Sequence, residues 1–129
     1  MSPFAAKEGD RVVAVDTHIA QPPGPTSPVP GPYQFDGLID GNLSSDVTIE
    51  GRPAATLGSA ATNTPPHIPI GGTFVKPPSN RGTIITGSAT VSIGGQPAAR
   101  AGDTAMTCND PVDLPVGSVI ATGTVSIGG

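Results

Sequence analysis

Apolar and polar residues alternate in short stretches along this chain. From Leu43 to Ile49, Leu43, Val47 and Ile49 are apolar while Ser44, Asp46 and Thr48 are polar. Ser88–Ile93 sets Ala89, Val91 and Ile93 against Ser88, Thr90 and Ser92, and Val119–Ile127 directs Val119, Ala121, Val125 and Ile127 inward. Arg11–Val15 reads as a further short apolar strand. A period of two predicts half-buried β-strands. No stretch carries helical periodicity, so little or no helix is expected. Between these runs lies Gln21–Pro32, QPPGPTSPVPGP, with proline at nearly every second position. Proline lacks an N–H and has a fixed φ, which predicts an extended polyproline-type segment rather than helix or central strand. Thr62–Ile70 and Gly71–Asn80 read as further Pro/Gly-rich connectors.

The strands belong to a repeat. Val91–Asp103, VSIGGQPAARAGD, has a second copy in Val47–Ser59, VTIEGRPAATLGS. Thr124–Gly129 repeats the TVSIGG of Thr90–Gly95, and Ala5–Asp10, AAKEGD, matches Ala98–Asp103, AARAGD. There are thus three copies within a single domain spanning 1–129. In chain order the first is split between 5–18 and 119–129, the second spans 43–70 and the third 84–111. A split copy joins the chain ends, and a sheet closed in that way leaves fewer raw edges. The expected fold is all-β: a small pseudo-threefold cone of three β-hairpin-like repeats with long Pro/Gly-rich loops, closed by pairing of the N- and C-terminal segments.

Composition narrows this picture. Tyr33 and three phenylalanines are the only aromatics beside 18 glycines and 16 prolines, so the core must be thin and built from small and β-branched side chains. A thin core at this size calls for a metal or a partner. The net charge of −4 offers no footprint for nucleic acid or for an anionic membrane. No apolar run approaches a membrane span, and the N-terminus lacks the pattern of a secretory signal. Synthesis in the cytoplasm, with export by another route, is expected. One cysteine, Cys108, excludes an internal disulfide. A Gly/Pro-rich linker without a defined fold is the reading opposed to all of this.

The two histidines and the cysteine follow the repeats. His18 lies nine residues beyond Gly9 and His67 nine beyond Gly58, while Cys108 lies six beyond Gly102. Threefold symmetry would bring the three side chains together near the axis. Imidazole and thiolate together favour one structural Zn²⁺ per chain. Asp110 and Asp16 are the candidates for a fourth ligand, and a water or a second molecule is the alternative. An open three-ligand site is also what a small zinc-dependent hydrolase would use. However, neither Glu8 nor Glu50 adjoins a ligand and no HExxH is present, so an enzyme is not expected.

The PAAR of Pro97–Arg100, flanked by VSIGG and AGD, resembles the signature of PAAR-repeat proteins. The PAAT of Pro53–Thr56, the Thr17-His18 pair and the GDxxxxC run of Gly102–Cys108 resemble it too. The resemblance implies a β-rich cone that caps the trimeric β-helical spike of a contractile injection machine, with a zinc ion near the apex. It places ligands at His18, His67 and Cys108. Where many members carry a histidine three residues after the cysteine, this chain has Pro111. It further implies one copy per spike trimer, with Val47, Ile49, Val91, Ile93, Val125 and Ile127 on the spike-binding strands. Effector cargo on the outer loops and transient contact with a target membrane are implied as well. The tip would be delivered outside or into target cells. Type VI secretion, an extracellular phage-tail-like particle and a phage tail all remain open.

Overall fold

The architecture grows from one turn used three times. In Lys7–Asp10, Thr56–Ser59 and Arg100–Asp103 the third residue is a glycine with φ near +90° (Gly9 +89°, Gly58 +94°, Gly102 +88°). A side chain strains that backbone conformation, so each copy of the repeat has glycine there. The fourth residue closes the turn. Asp10, Ser59 and Asp103 accept the backbone N–H of Lys7, Thr56 and Arg100 at 3.0, 2.9 and 2.6 Å.

The computed structural model describes residues 3–128 and contains, among them, strands and no helix. The strands are β1 (Arg11–Gln21), β2 (Val29–Gly41), β3 (Thr48–Ile49), β4 (Arg52–Pro53), β5 (Ala60–Asn63), β6 (Thr73–Phe74), β7 (Arg81–Ile84), β8 (Ser92–Ile93), β9 (Gln96–Pro97), β10 (Thr104–Thr107) and β11 (Leu114–Ile120). Each turn leads into one antiparallel pair: β1 with β2, β5 with β7, and β10 with β11. Pairing of β2 with β5, β7 with β10, and β11 with β1 joins the three pairs into a closed six-strand sheet, to which β6 adds on β1. The expected all-β closed fold is observed.

The wide end is tied by a backbone ring. Ala55 N–H donates to the Ala6 carbonyl at 3.0 Å, Ala99 to Ala55 at 3.1 Å, and Ala6 to Ala99 at 2.9 Å. Ala6, Ala55 and Ala99 are fully buried, because three segments of the chain meeting this closely leave room for a methyl group and little more. Below the ring sit three hairpins. Two are β3 with β4 and β8 with β9. The third is assembled from the chain ends: Phe4 bridges Ser126, and Ile127 N–H donates to the Pro3 carbonyl at 2.8 Å. The termini thus pair as expected, although Gly129, the last residue of the repeat, lies outside the described residues.

Above the ring the core narrows. Val12, Ile39, Ile84 and Val119 are each 1% exposed or less and fill the widest layer. Two residues before Ile39, Ile84 and Val119 stand Gly37, Gly82 and Gly117. A Cβ on Gly37 would come within 2.8 Å of the Phe35 ring, and one on Gly82 within 3.3 Å. The Phe35 ring thus fills the space beside Gly37 and Gly82, while a Cβ on Gly117 would meet Ala105 O, Thr107 and Val12.

Several sequence expectations change. The strands expected over Leu43–Ile49 and Ser88–Ile93 shrink to Thr48–Ile49 and Ser92–Ile93. Ser44 Oγ accepts the N–H of Asp46 and Val47, and Ser88 Oγ accepts those of Thr90 and Val91. A hydroxyl that caps the backbone in this way competes with strand pairing. Val47, Val91 and Val125 face outward at 38%, 36% and 40% exposure, while Ile49 and Ile127 lie in a second small core with Ala5, Ala54 and Ala98, and Ile93 packs against it. The proline-rich Gln21–Pro32 is not polyproline throughout. Strand β1 runs to Gln21, and β2 includes Pro30 and Pro32, opposite Ile19 and Thr17. Asp36 N–H points away from β1, to Asn63 Oδ1 at 2.9 Å. Even-numbered positions of β2 share that direction, so the missing N–H of Pro30 and Pro32 falls on the unpaired edge.

Candidate metal centre

Strand β1 buries its even positions, Val12, Ala14, Asp16, His18 and Ala20. Asp16 and His18 therefore project inward at the narrow end. His67 arrives on the loop after β5, and Cys108 follows β10 directly. One donor atom from each of Asp16, His18, His67 and Cys108 lies within 4.8 Å of the others. The structure thus brings together the three side chains expected from the repeats, with Asp16 as the fourth. Their supports differ: His18 stands on a strand, not at the end of a loop like His67. The residue equivalent to both histidines in the third repeat is Pro111, which has no donor.

Asp16 Oδ2 is the shared neighbour. It lies 2.8 Å from His67 Nε2, 3.4 Å from Cys108 Sγ and 4.0 Å from His18 Nε2, and Asp16 is fully buried. Its other oxygen, Oδ1, accepts the Thr107 hydroxyl at 2.5 Å. Asp110 is placed differently. Its Oδ2 accepts Ile19 N–H at 2.9 Å and stands 3.5 Å from His18 Nδ1. It stands behind the histidine without a hydrogen bond to it, on the side from which a carboxylate can orient a ligating imidazole.

Asn63 and Asn80 fix the loop that carries His67. Asn80 Oδ1 accepts the His67 N–H at 2.8 Å and an Asn63 amide hydrogen at 3.2 Å. The Asn63 amide nitrogen is 3.2 Å from His67 Nδ1, which leaves the ring proton on Nε2, donated to Asp16. Three aromatics enclose the histidines: Tyr33 and Phe74 lie edge-on to His18 with centroids 5.8 Å away, and Phe35 lies 6.2 Å from His67. The sequence reading missed this enclosure. The available signal was the spacing of Tyr33, Phe35, Gly37 and Ile39, inward-facing positions two apart on one strand.

Electrostatically the cluster favours a cation. His18 is 1% exposed and both of its ring nitrogens lack a hydrogen-bond partner, an expensive arrangement for a buried polar group. Burial, with the neighbouring His67, pushes its pKa down, against the opposing pull of Asp110 and Asp16. Burial and the Asp16 charge push the Cys108 thiol up to about 11. Without a cation the site thus holds a neutral imidazole and a protonated thiol. A divalent ion would give His18 Nε2 a partner and stabilise the thiolate. Two imidazoles, a thiolate and a carboxylate form a zinc-type donor set.

The model of the family described as PAAR motif matches residues 76–129. That segment holds the third repeat, Cys108 and the C-terminal strand, but neither histidine. No curated protein matches the chain.

Proposed function

We infer, from the PAAR-motif match over residues 76–129, that the chain is a PAAR-repeat protein and belongs with the spike-tip-associated proteins of contractile injection systems, a structural family. We propose that it caps and sharpens the end of a trimeric β-helical spike, aiding membrane puncture, with one structural zinc ion held near the apex by His18, His67 and Cys108. The observation that carries this reading is the three-part wide end. The Ala6–Ala55–Ala99 ring and the three hairpins beneath it let one chain offer three similar edges to three similar partners. Val47, Val91 and Val125 supply an apolar contact at each edge. The proximal core residues Ile49, Ile93 and Ile127 hold the hairpins from within.

The zinc ion would contribute folding free energy where the core has become too narrow for apolar side chains. Its chemistry here is structural cross-linking of three chain segments. The protein would be made in the cytoplasm, ride at the tip of the particle and leave the cell with it, and its outer loops are where effector cargo would attach. Co-expression with the spike tests the reading. One copy per three spike chains is expected, and Val47→Asp with Val91→Asp should weaken the association while leaving the melting temperature nearly unchanged. A ratio of one to one would overturn it.

A further inference from the structure

We infer that Asp16 is the fourth metal ligand, bound through Oδ2, in place of the third imidazole that Pro111 cannot supply. This rests on the reading that a divalent ion sits among His18, His67 and Cys108. Four observations carry it. First, Oδ2 lies 2.8 to 4.0 Å from the donor atoms of the other three residues. Tetrahedral zinc with bonds of about 2.0–2.3 Å separates its ligands by roughly 3.3–3.8 Å, so small shifts complete the shell. Second, Oδ1 is engaged by the Thr107 hydroxyl, which fixes the carboxylate to present a single oxygen. Third, the competing candidate is occupied: Asp110 accepts Ile19 N–H and faces the far nitrogen of His18, which leaves Nε2 for the metal.

The fourth observation is charge. Asp16 is fully buried, and no lysine or arginine among the described residues pairs with it. Two imidazoles, one thiolate and one carboxylate around a divalent cation sum to zero. With a third imidazole instead of the carboxylate the sum would be one positive charge. In a buried site the neutral set has the lower desolvation cost. Binding at His67 Nε2 places that ring's proton on Nδ1, at the cost of its contact with the Asn63 amide.

Cobalt(II) substitution of the full-length chain tests the assignment, because its d–d bands report the ligand set and its thiolate charge-transfer band reports Cys108 separately. Partners that only orient a ligand are each worth about 10–100-fold in affinity. Asp16→Asn should therefore weaken cobalt and zinc binding by more than about 100-fold and shift the d–d bands while the thiolate band persists. Asp16→His should restore binding with shifted bands, which also guards against a folding defect in the first variant. Asp110→Asn should weaken binding but leave the bands where they are. Unchanged affinity and unchanged d–d bands in Asp16→Asn would overturn the inference alone. A wild-type chain that takes up neither zinc nor cobalt would overturn the metal reading beneath it.

Discussion

The two ends of the cone solve the same packing problem in opposite ways. At the wide end three equivalent alanines meet through backbone hydrogen bonds, and every repeat contributes the same atoms. At the narrow end the repeats contribute unlike side chains: Asp16 and His18 from the first, His67 from the second, Cys108 from the third. Backbone groups are identical in every repeat, so contacts made by them keep the threefold pattern. Close to the axis only one side chain fits at a time. Phe35 fills the layer beside Gly37 and Gly82, and beyond it no apolar residue could be repeated three times. The symmetry is lost where volume runs out, and polar donors take over.

Variants at the two ends should expose this contrast. The largest effect is expected at the apex. His18→Ala combined with Cys108→Ala should abolish metal uptake and lower the melting temperature by about 10 °C or more, read by elemental analysis and calorimetry. Unchanged stability would remove the apex from the account of how the fold is held. Next come Ala6→Leu, Ala55→Leu and Ala99→Leu, each overpacking the ring at a cost of about 1–3 kcal/mol in denaturant unfolding. The three costs should agree closely; one position far more tolerant than the others would show that the ring is not equivalent in energy.

A smaller loss, about 1 kcal/mol, is expected for Ser59→Ala, which deprives Thr56 N–H of its acceptor. The smallest effect is a pH dependence confined to the apex of the metal-free protein. His18 holds its proton less tightly when folded, so its contribution is present above about pH 6.5 and fades on acidification below it. Cys108, raised to about 11, holds its proton more tightly when folded, so its contribution is intact below about pH 9 and fades as pH climbs towards 11. Melting temperatures of the metal-free chain should therefore plateau between those limits. His18→Gln should flatten the acid limb and Cys108→Ser the alkaline one.

Much of this was legible in the residues, and the exceptions have physical reasons. The closure of the chain ends followed from the TVSIGG and AAKEGD fragments, because a split repeat has only one way to be completed. His18, His67 and Cys108 were found because each trails a copy of the same glycine turn. The outward valines were not foreseen. Alternation along Leu43–Ile49 and Ser88–Ile93 looked like strand, whereas the hydroxyls of Ser44 and Ser88 cap their own backbone and leave Val47 and Val91 facing water. Pro30 and Pro32 argued against strand because a sequence does not say which edge of β2 is left unpaired.

By itself, then, the sequence determined the repeat, the all-β class and the glycine turns, since these depend on local backbone geometry and on identity between copies. Only the tertiary structure decided that Asp16 joins the metal cluster and Asp110 stands behind it. Both are aspartates two residues from a candidate ligand, and nothing local separates them. What separates them is direction: strand β1 turns Asp16 toward the axis, while the loop after Cys108 turns Asp110 back onto the N–H of Ile19.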